Sequence, residues 1–446
     1  MNEVALTARL AALGPLGEHI DTICDQRVGI VNDVREVPVE PGSPRFFHYA
    51  ARSCNTSAFS PQRNFHQTGG AATTREIALA KAVGEAVERY SAALYERDRF
   101  VLTSANDAPF ACADPESFAL YSPGQFAEPG FPWIPFTRDT SIRWTPAIDV
   151  GSGEQVHVPA AFTWIPYSFV RGSGDAPIGQ PISTGLACHG SRERAILSGL
   201  YEVVERDCFT ITWQSGMAPP RIRAETIPDH AYDMVRRFEL TGDRVVLLDI
   251  TTDNGIPCIL SVLLSDQPER PARVYAASAD LDPARALAKA IEELAHTRRY
   301  SQQIKQCLPP VAPDNDWEDV TTQMDHLNFA ADHANIAALD VLLASTERRS
   351  FPDYANSSTA PRADLPEAVS RIEGTGHRVL AAELTSDDVA GLGLHVWRVL
   401  VPGYHPLFMG HRIRALGGRR LYQVPQRMGH AGLSPWQDRG LPHPYP

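Results

Sequence analysis

No two cysteines of this 446-residue chain lie close enough to make a CxxC pair. The seven present (Cys24, Cys54, Cys112, Cys188, Cys208, Cys258 and Cys307) are scattered, which excludes an ordinary zinc ribbon and offers no disulfide framework. That pattern fits reduced thiols in a cytoplasmic setting. Lys/Arg clusters are also missing and the formal net charge is −12, so no nucleic-acid surface is expected. No apolar run approaches the ~20 residues of a membrane span. Met1-Asn-Glu-Val-Ala has neither a basic region nor a long apolar stretch, so no signal peptide is read there. The familiar phosphate and zinc signatures are absent too: no GxxxxGK[ST], no kinase HRD/DFG set, no GxGxxG after a strand, no HExxH. Any nucleotide or metal site must be assembled from helix faces.

What remains is a globular composition, 43% hydrophobic and 21% charged, with ample core. The length suits two or three domains or one large elaborated one. Val4 to Leu13 reads as a short amphipathic helix and Arg27 to Val34 as extended. Thr73 and Glu76 have capping-box spacing, so a helix is expected over about 74–97. Residues 105–146, rich in proline and aromatics, read as long surface loop, and Val156 to Pro166 as a strand. A second helix is expected over 191–213. Two apolar runs flank Thr-Asp-Asn-Gly255 as a β-hairpin. Asp282-Pro283 starts a third helix, carrying Glu292, Glu293, His296 and Arg298. A strand pair, Val379 to Leu384 and Val396 to Val401, precedes a proline-rich end. Hairpins and long helices mix without regular βαβ alternation, which predicts an α+β fold. The expected organisation is an N-terminal region (1–60), a catalytic domain (61–430, with 309–365 as insertion or lid) and a tail (431–446).

The first two helices carry the chemistry. Glu85, Glu88 and Arg89 stand at i, i+3 and i+4 and share one face, while Val83, Val87, Tyr90 and Leu94 form the buried stripe. Glu202, Glu205 and Arg206 repeat the arrangement. Residue chemistry alone leaves two readings open. One is two unrelated salt-bridged faces. The other is a pair of carboxylate walls holding Mg²⁺ against phosphates, with the arginines orienting carboxylates or touching phosphate. Cys208, beside the second pair, reads as a small buried residue.

Four motifs in order decide between these. Thr68-Gly-Gly with Lys81-Ala-Val-Gly-Glu-Ala-Val-Glu-Arg-Tyr-Ser91 resembles the first ATP-site motif of the YcaO superfamily. Ser183-Thr-Gly-Leu-Ala with Ser198-Gly-Leu-Tyr-Glu-Val-Val-Glu-Arg-Asp207 resembles the second. Ala290 to Arg298 is similar to the third, and Val401-Pro-Gly, His405-Pro-Leu and Arg420-Leu-Tyr to the C-terminal part. The resemblance implies ATP and Mg²⁺. Glu85, Glu88, Glu202 and Glu205 would be metal ligands. Lys81, Glu85, Glu88, Arg89, Ser198, Glu202, Arg206, His296 and Arg298 would be ATP contacts. The ending Pro442-His-Pro-Tyr-Pro446 resembles the PxPxP tail of azoline-forming members, whose stiff extended form would deliver Pro446 to the active site as a general base. The implied reaction is ATP-dependent cyclodehydration of Cys, Ser or Thr in a ribosomally made precursor peptide. The implied partners are that peptide and a separate E1-like or ThiF-like leader-binding protein, with a flavin dehydrogenase and a homodimer compatible. A thioamide- or amidine-forming enzyme and a non-catalytic ATP-binding scaffold stay as alternatives. The chain departs from the family pattern at Ala71, Lys81, Gly190, Arg194 and His296.

Overall fold

The computed structural model describes residues 10, 12–311, 314–358 and 364–446. The extended segments form three sheets. The first is antiparallel, in the order β1 (Val31–Val37), β2 (Phe47–Ser53), β3 (Gln67–Ala72). The second runs from β4 (Val101–Thr103) to β5 (Ile142–Asp149), which also pairs with β6 (Gln155–Pro159). It continues through Leu380–Glu383 and His395–Leu400 to β7 (Leu186–His189). The third holds β8 (Arg221–Ile222), β9 (Arg244–Asp249), β10 (Cys258–Leu264), β11 (Arg273–Ala279) and β12 (Arg348–Arg349), in the order β11-β10-β9-β8-β12. The two remaining strands of the second sheet are β13 (Leu380–Glu383) and β14 (His395–Leu400). Among the strands of the described residues, β8 and β12 alone pair in parallel. Mostly antiparallel sheets with separate long helices make this an α+β fold.

Three long helices join the sheets: α1 (Arg75–Ala92), α2 (Arg192–Ser215) and α3 (Pro283–Cys307). α1 packs on β2 and β3, α2 on β7 and β14, and α3 on β10 and β11. Of the expected stripe of α1, Val83 and Val87 are fully inside and Tyr90 is buried, while Leu94 is half-buried and lies beyond the helix end; each fully buried side chain contributes about 1.5–3 kcal/mol. β3 approaches α1 so closely that a Cβ on Gly70 would sit 2.4 Å from the Ala78 carbonyl oxygen, so only glycine fits there.

Several boundaries differ from the sequence reading. The cap of α1 is Thr74, whose Oγ1 accepts from the Ile77 N–H at 3.4 Å. The Thr73 N–H goes instead to Glu292 Oε1 on α3, at 3.3 Å. α1 stops at Ala92 because neighbouring chain takes the next carbonyls: Ile165 N–H donates to Ala92 at 3.1 Å and Ser60 Oγ to Ala93 at 2.9 Å. The expected strand over 156–166 turns at Ala160 into a one-turn helix, Ala160–Thr163. The loop over 105–146 is not all surface: Phe118 and Phe136 pack with Trp144 and Ile178, which draws it onto β5. Most of the helix expected over Val4 to Leu13 lies outside the described residues. Among the described residues, no helix is long and apolar enough to cross a membrane.

Candidate active site

The Glu–Glu–Arg faces of α1 and α2 lie near enough for Glu88 and Glu202 to influence each other, three of the carboxylates being held by backbone N–H groups and the fourth by the tail. Gly69 N–H donates to Glu85 Oε2 at 3.3 Å, and Cys188 N–H of β7 to Glu88 Oε1 at 2.9 Å. On the other wall, Gly185 N–H donates to Glu202 Oε2 at 2.9 Å, and Tyr445 Oη to Glu205 Oε1. The walls sense one another. Burial pushes Glu88 up to about 8, with Glu85 and Glu202 adding like charge. It pushes Glu205 up to about 7, with Glu202 and Glu293 doing the same. Both groups remain partly balanced by Arg89 and Arg206 respectively.

α3 closes a third side. Lys81 Nζ lies 3.0 Å from both Glu292 Oε2 and Glu293 Oε1. Burial opposes the ionisation of Glu293, yet Lys81 and His296 hold it below the ordinary carboxylate range. Lys81 therefore straps α1 to α3. His296 packs on Gly69, where a Cβ would meet its Nε2 at 2.8 Å. Ser198 is half-buried on α2, one turn before Glu202. Arg298 points elsewhere: its Nε lies 3.6 Å from Asp243 Oδ2 and its Nη1 donates to Ser43 Oγ at 3.3 Å. The departure at Gly190 has a steric reason, since a Cβ there would stand 2.8 Å from the Pro15 ring.

The tail forms part of the site. Residues 442–445 are buried. His443 Nε2 donates to the Phe408 carbonyl at 2.7 Å, and its ring stacks on His326 with centroids 3.8 Å apart. Burial pushes His443 down to about 3, so it is neutral at ordinary pH. Tyr445 stacks on Phe209 at 4.2 Å, and the Arg206 guanidinium lies over its other side, 4.8 Å from the centroid. Arg206 Nη1 then donates to the Pro446 carbonyl oxygen at 2.6 Å. Chain just before the tail is clamped by a buried ion pair: Arg420 Nη2 lies 2.7 Å from Asp207 Oδ2, and Asp207 Oδ1 accepts the His405 N–H at 2.7 Å.

The sequence matches the family described as YcaO cyclodehydratase, ATP- and Mg²⁺-binding, across residues 69–405. The chain belongs to the YcaO family. A relative in Methanothermobacter thermautotrophicus, which carries the name uncharacterized protein, is 29% identical over 233 residues, covering 51% of this chain and 56% of its own. This chain thus spans about half the length of that curated relative. A solved heterocyclase in complex with substrate and cofactor superimposes with a TM-score of 0.76 at 22% identity, over 97% of this chain and 57% of its own. The YcaO protein of Methanopyrus kandleri, bound with AMPPCP and Mg²⁺, gives 0.59 at 21% identity, over 84% and 86%. These likenesses confirm the α+β fold.

The family's own description gives ATP and Mg²⁺ as its ligands. The residues fit them. Among the described residues no three His, Cys, Asp or Glu side chains gather into a ready-made metal cage. Mg²⁺ needs none, because it uses one or two carboxylates and completes its shell with phosphate oxygens and water. Glu88 and Glu205 are half-buried carboxylates that Arg89 and Arg206 balance only in part, and a divalent ion would supply further positive charge.

The sequence pattern points to the two Glu pairs but not to Glu292, Glu293, Tyr445 or Arg398. Glu292 and Glu293 were read on their helix without a role. Tyr445 gave no signal beyond its place between two prolines. Arg398 was passed over, although an arginine inside the apolar run Val396 to Val401 is itself unusual.

Proposed function

We propose that this chain is an ATP-dependent cyclodehydratase that converts Cys, Ser or Thr residues of a precursor peptide to azolines. The observation that carries this reading is the 2.6 Å hydrogen bond from Arg206 to Pro446 beside Glu202 and Glu205. A PxPxP tail lying loose on the surface would not favour azoline chemistry; one threaded into the carboxylate walls does.

In the proposed reaction the substrate side chain attacks the preceding amide carbon and loses its proton. The resulting oxyanion takes the γ-phosphoryl group, the amide nitrogen loses its proton, and the C–O bond breaks as phosphate leaves. One peptide and one ATP give azoline, ADP and phosphate, the departing oxygen ending in phosphate. Phosphorylation turns a hydroxide-like oxygen into a good leaving group, so positioning and charge neutralisation carry the catalysis. Glu85, Glu88, Glu202 and Glu205 would hold the metal–phosphate assembly, with Arg89, Arg206, Ser198 and His296 around it. Lys81 would act by fixing α1 against α3. The Pro446 carboxylate, held by Arg206, would take the proton from the attacking side chain. Arg298, paired with Asp243, would support the fold of α3 more than touch nucleotide.

A precursor peptide and a separate leader-binding protein complete the proposal. The test supplies chain, ATP, Mg²⁺, a Cys-bearing precursor and its leader-binding partner, and follows loss of one water per modified residue by mass spectrometry. Dehydration with stoichiometric ADP is expected. Unmodified peptide under these conditions would refute the reading, and sulfur replacing oxygen in a parallel reaction with added sulfide would assign thioamide formation instead.

A further inference from the structure

Arg398 lies on β14, the strand against which α2 packs. It is 2% exposed. Its Nη2 donates to the Ile182 carbonyl at 2.6 Å, but its Nε and Nη1 have no hydrogen-bond partner. Among the described residues no carboxylate lies within ion-pair distance of it. Burial lowers it to about 9, with Glu202 the nearest opposing influence and Arg89 a repelling one. A buried guanidinium with two idle nitrogens costs the folded chain free energy unless a ligand uses them.

The same side chain lines a cavity of about 120 Å³. Arg206 and Thr184 line it too, together with apolar residues that include Phe118, Leu120, Phe162 and Val401. The cavity thus shares with the site the residue that holds Pro446. A cavity of ~150 Å³ takes benzene, so this one suits a branched aliphatic or single-ring group and is small for a purine.

We propose that this cavity receives an apolar side chain, of leucine size, from the peptide residue that precedes the cyclised one, and that Arg398 donates to the carbonyl oxygen of that same residue. The inference rests on the cyclodehydratase reading above. It explains why one pocket joins an apolar wall to two guanidinium groups. The side chain fixes the residue in place, and the arginines meet the oxygen on which charge develops. Arg398 would then be a specificity-determining and oxyanion-binding residue that leaves the nucleotide untouched.

Acetyl-Leu-Cys-amide and acetyl-Gly-Cys-amide are the probes, titrated into the full chain with Mg²⁺ and a non-hydrolysable ATP analogue. The leucine peptide is expected to bind at least tenfold more tightly, as burial of one such side chain implies; equal affinities would overturn the pocket. Filling the cavity with Leu120→Trp, or from the other side with Val401→Phe, should erase that preference and leave analogue affinity within about threefold by the same scale. Loss of analogue affinity would give the cavity to adenine and overturn the proposal. Arg398→Met should cut ring formation about 100-fold, spare analogue binding and leave the unliganded chain equally or more heat-stable. A less stable variant would make Arg398 structural and overturn its role. Peptide discrimination without dehydration would support the pocket and remove the reaction proposed for it. Dehydration without discrimination would do the reverse.

Discussion

The walls formed by α1 and α2 carry the same Glu–x–x–Glu–Arg pattern, yet the structure uses their arginines differently. Arg89 Nη2 lies 3.2 Å from Glu85 Oε1 on its own helix. Arg206 is looser toward its own carboxylates, at 3.6 Å from Glu202 and 3.8 Å from Glu205, and gives its short hydrogen bond to Pro446. The first wall is braced by β3 and β7. The second is completed by the tail, through Tyr445 and Pro446. A repeated motif therefore need not mean a repeated role: the arginine of α1 stays on its own helix, and that of α2 holds the tail.

Substitutions that break both walls should have the largest effect. Glu88→Gln and Glu202→Gln are each expected to lower Mg²⁺-dependent ATP turnover about 100- to 1000-fold, the range for losing a preorganised charge contact, measured by ADP release. Next is the clamp under the second wall. Asp207→Asn takes from Arg420 its fully buried carboxylate and leaves it Asp253 alone, 2.8 Å from Nη2, at a cost of about 1.5–3 kcal/mol, which thermal or denaturant unfolding would register.

The comparison sharpens with matched arginine variants. Lysine cannot reproduce the planar fork of arginine. Arg206→Lys is expected to depress ring formation by about 30-fold, whereas Arg89→Lys, replacing one i,i+4 partner by another, should change it by about threefold or less. Equal losses would show that the two walls are equivalent after all.

The smallest effect is on pH dependence. Glu88 and Glu205 sit above their ordinary range, at about 8 and about 7, because burial favours the neutral acid. The folded chain then binds more protons than the unfolded one between roughly pH 4.5 and 8, so this contribution to stability falls as pH rises through that window. Binding of Mg²⁺ releases those protons and should strengthen from pH 6 to 8, by about tenfold for the Glu205 proton alone. Melting temperatures with and without Mg·ATP at both pH values would check both signs.

How much of this the sequence disclosed depends on the range of the interaction. Each Glu–x–x–Glu–Arg face follows from helical spacing, which is local, and so does the cap at Asp282; that the two faces share a site is implied by the family resemblance alone. Asn254-Gly255 likewise announced the β9–β10 hairpin. What escaped is non-local. Lys81 was the residue on α1 least expected by family resemblance, and its partners Glu292 and Glu293 lie more than 200 positions away. Tyr445 reaches Glu205 across a separation of 240. No periodicity can encode such pairs. The Thr73 cap failed for the same reason, since its N–H was claimed by α3. Arg398 was visible as a charge within an apolar strand, but only its packing shows two nitrogens without partners.

The central claim is that the two walls grip one Mg·ATP together. Its most direct test is a calorimetric titration of Mg²⁺ and a non-hydrolysable ATP analogue into the wild-type chain, Glu88→Gln and Glu202→Gln. Saturable binding that requires Mg²⁺ is expected for the wild type and should be lost in both variants. Undiminished binding in either one would contradict the account.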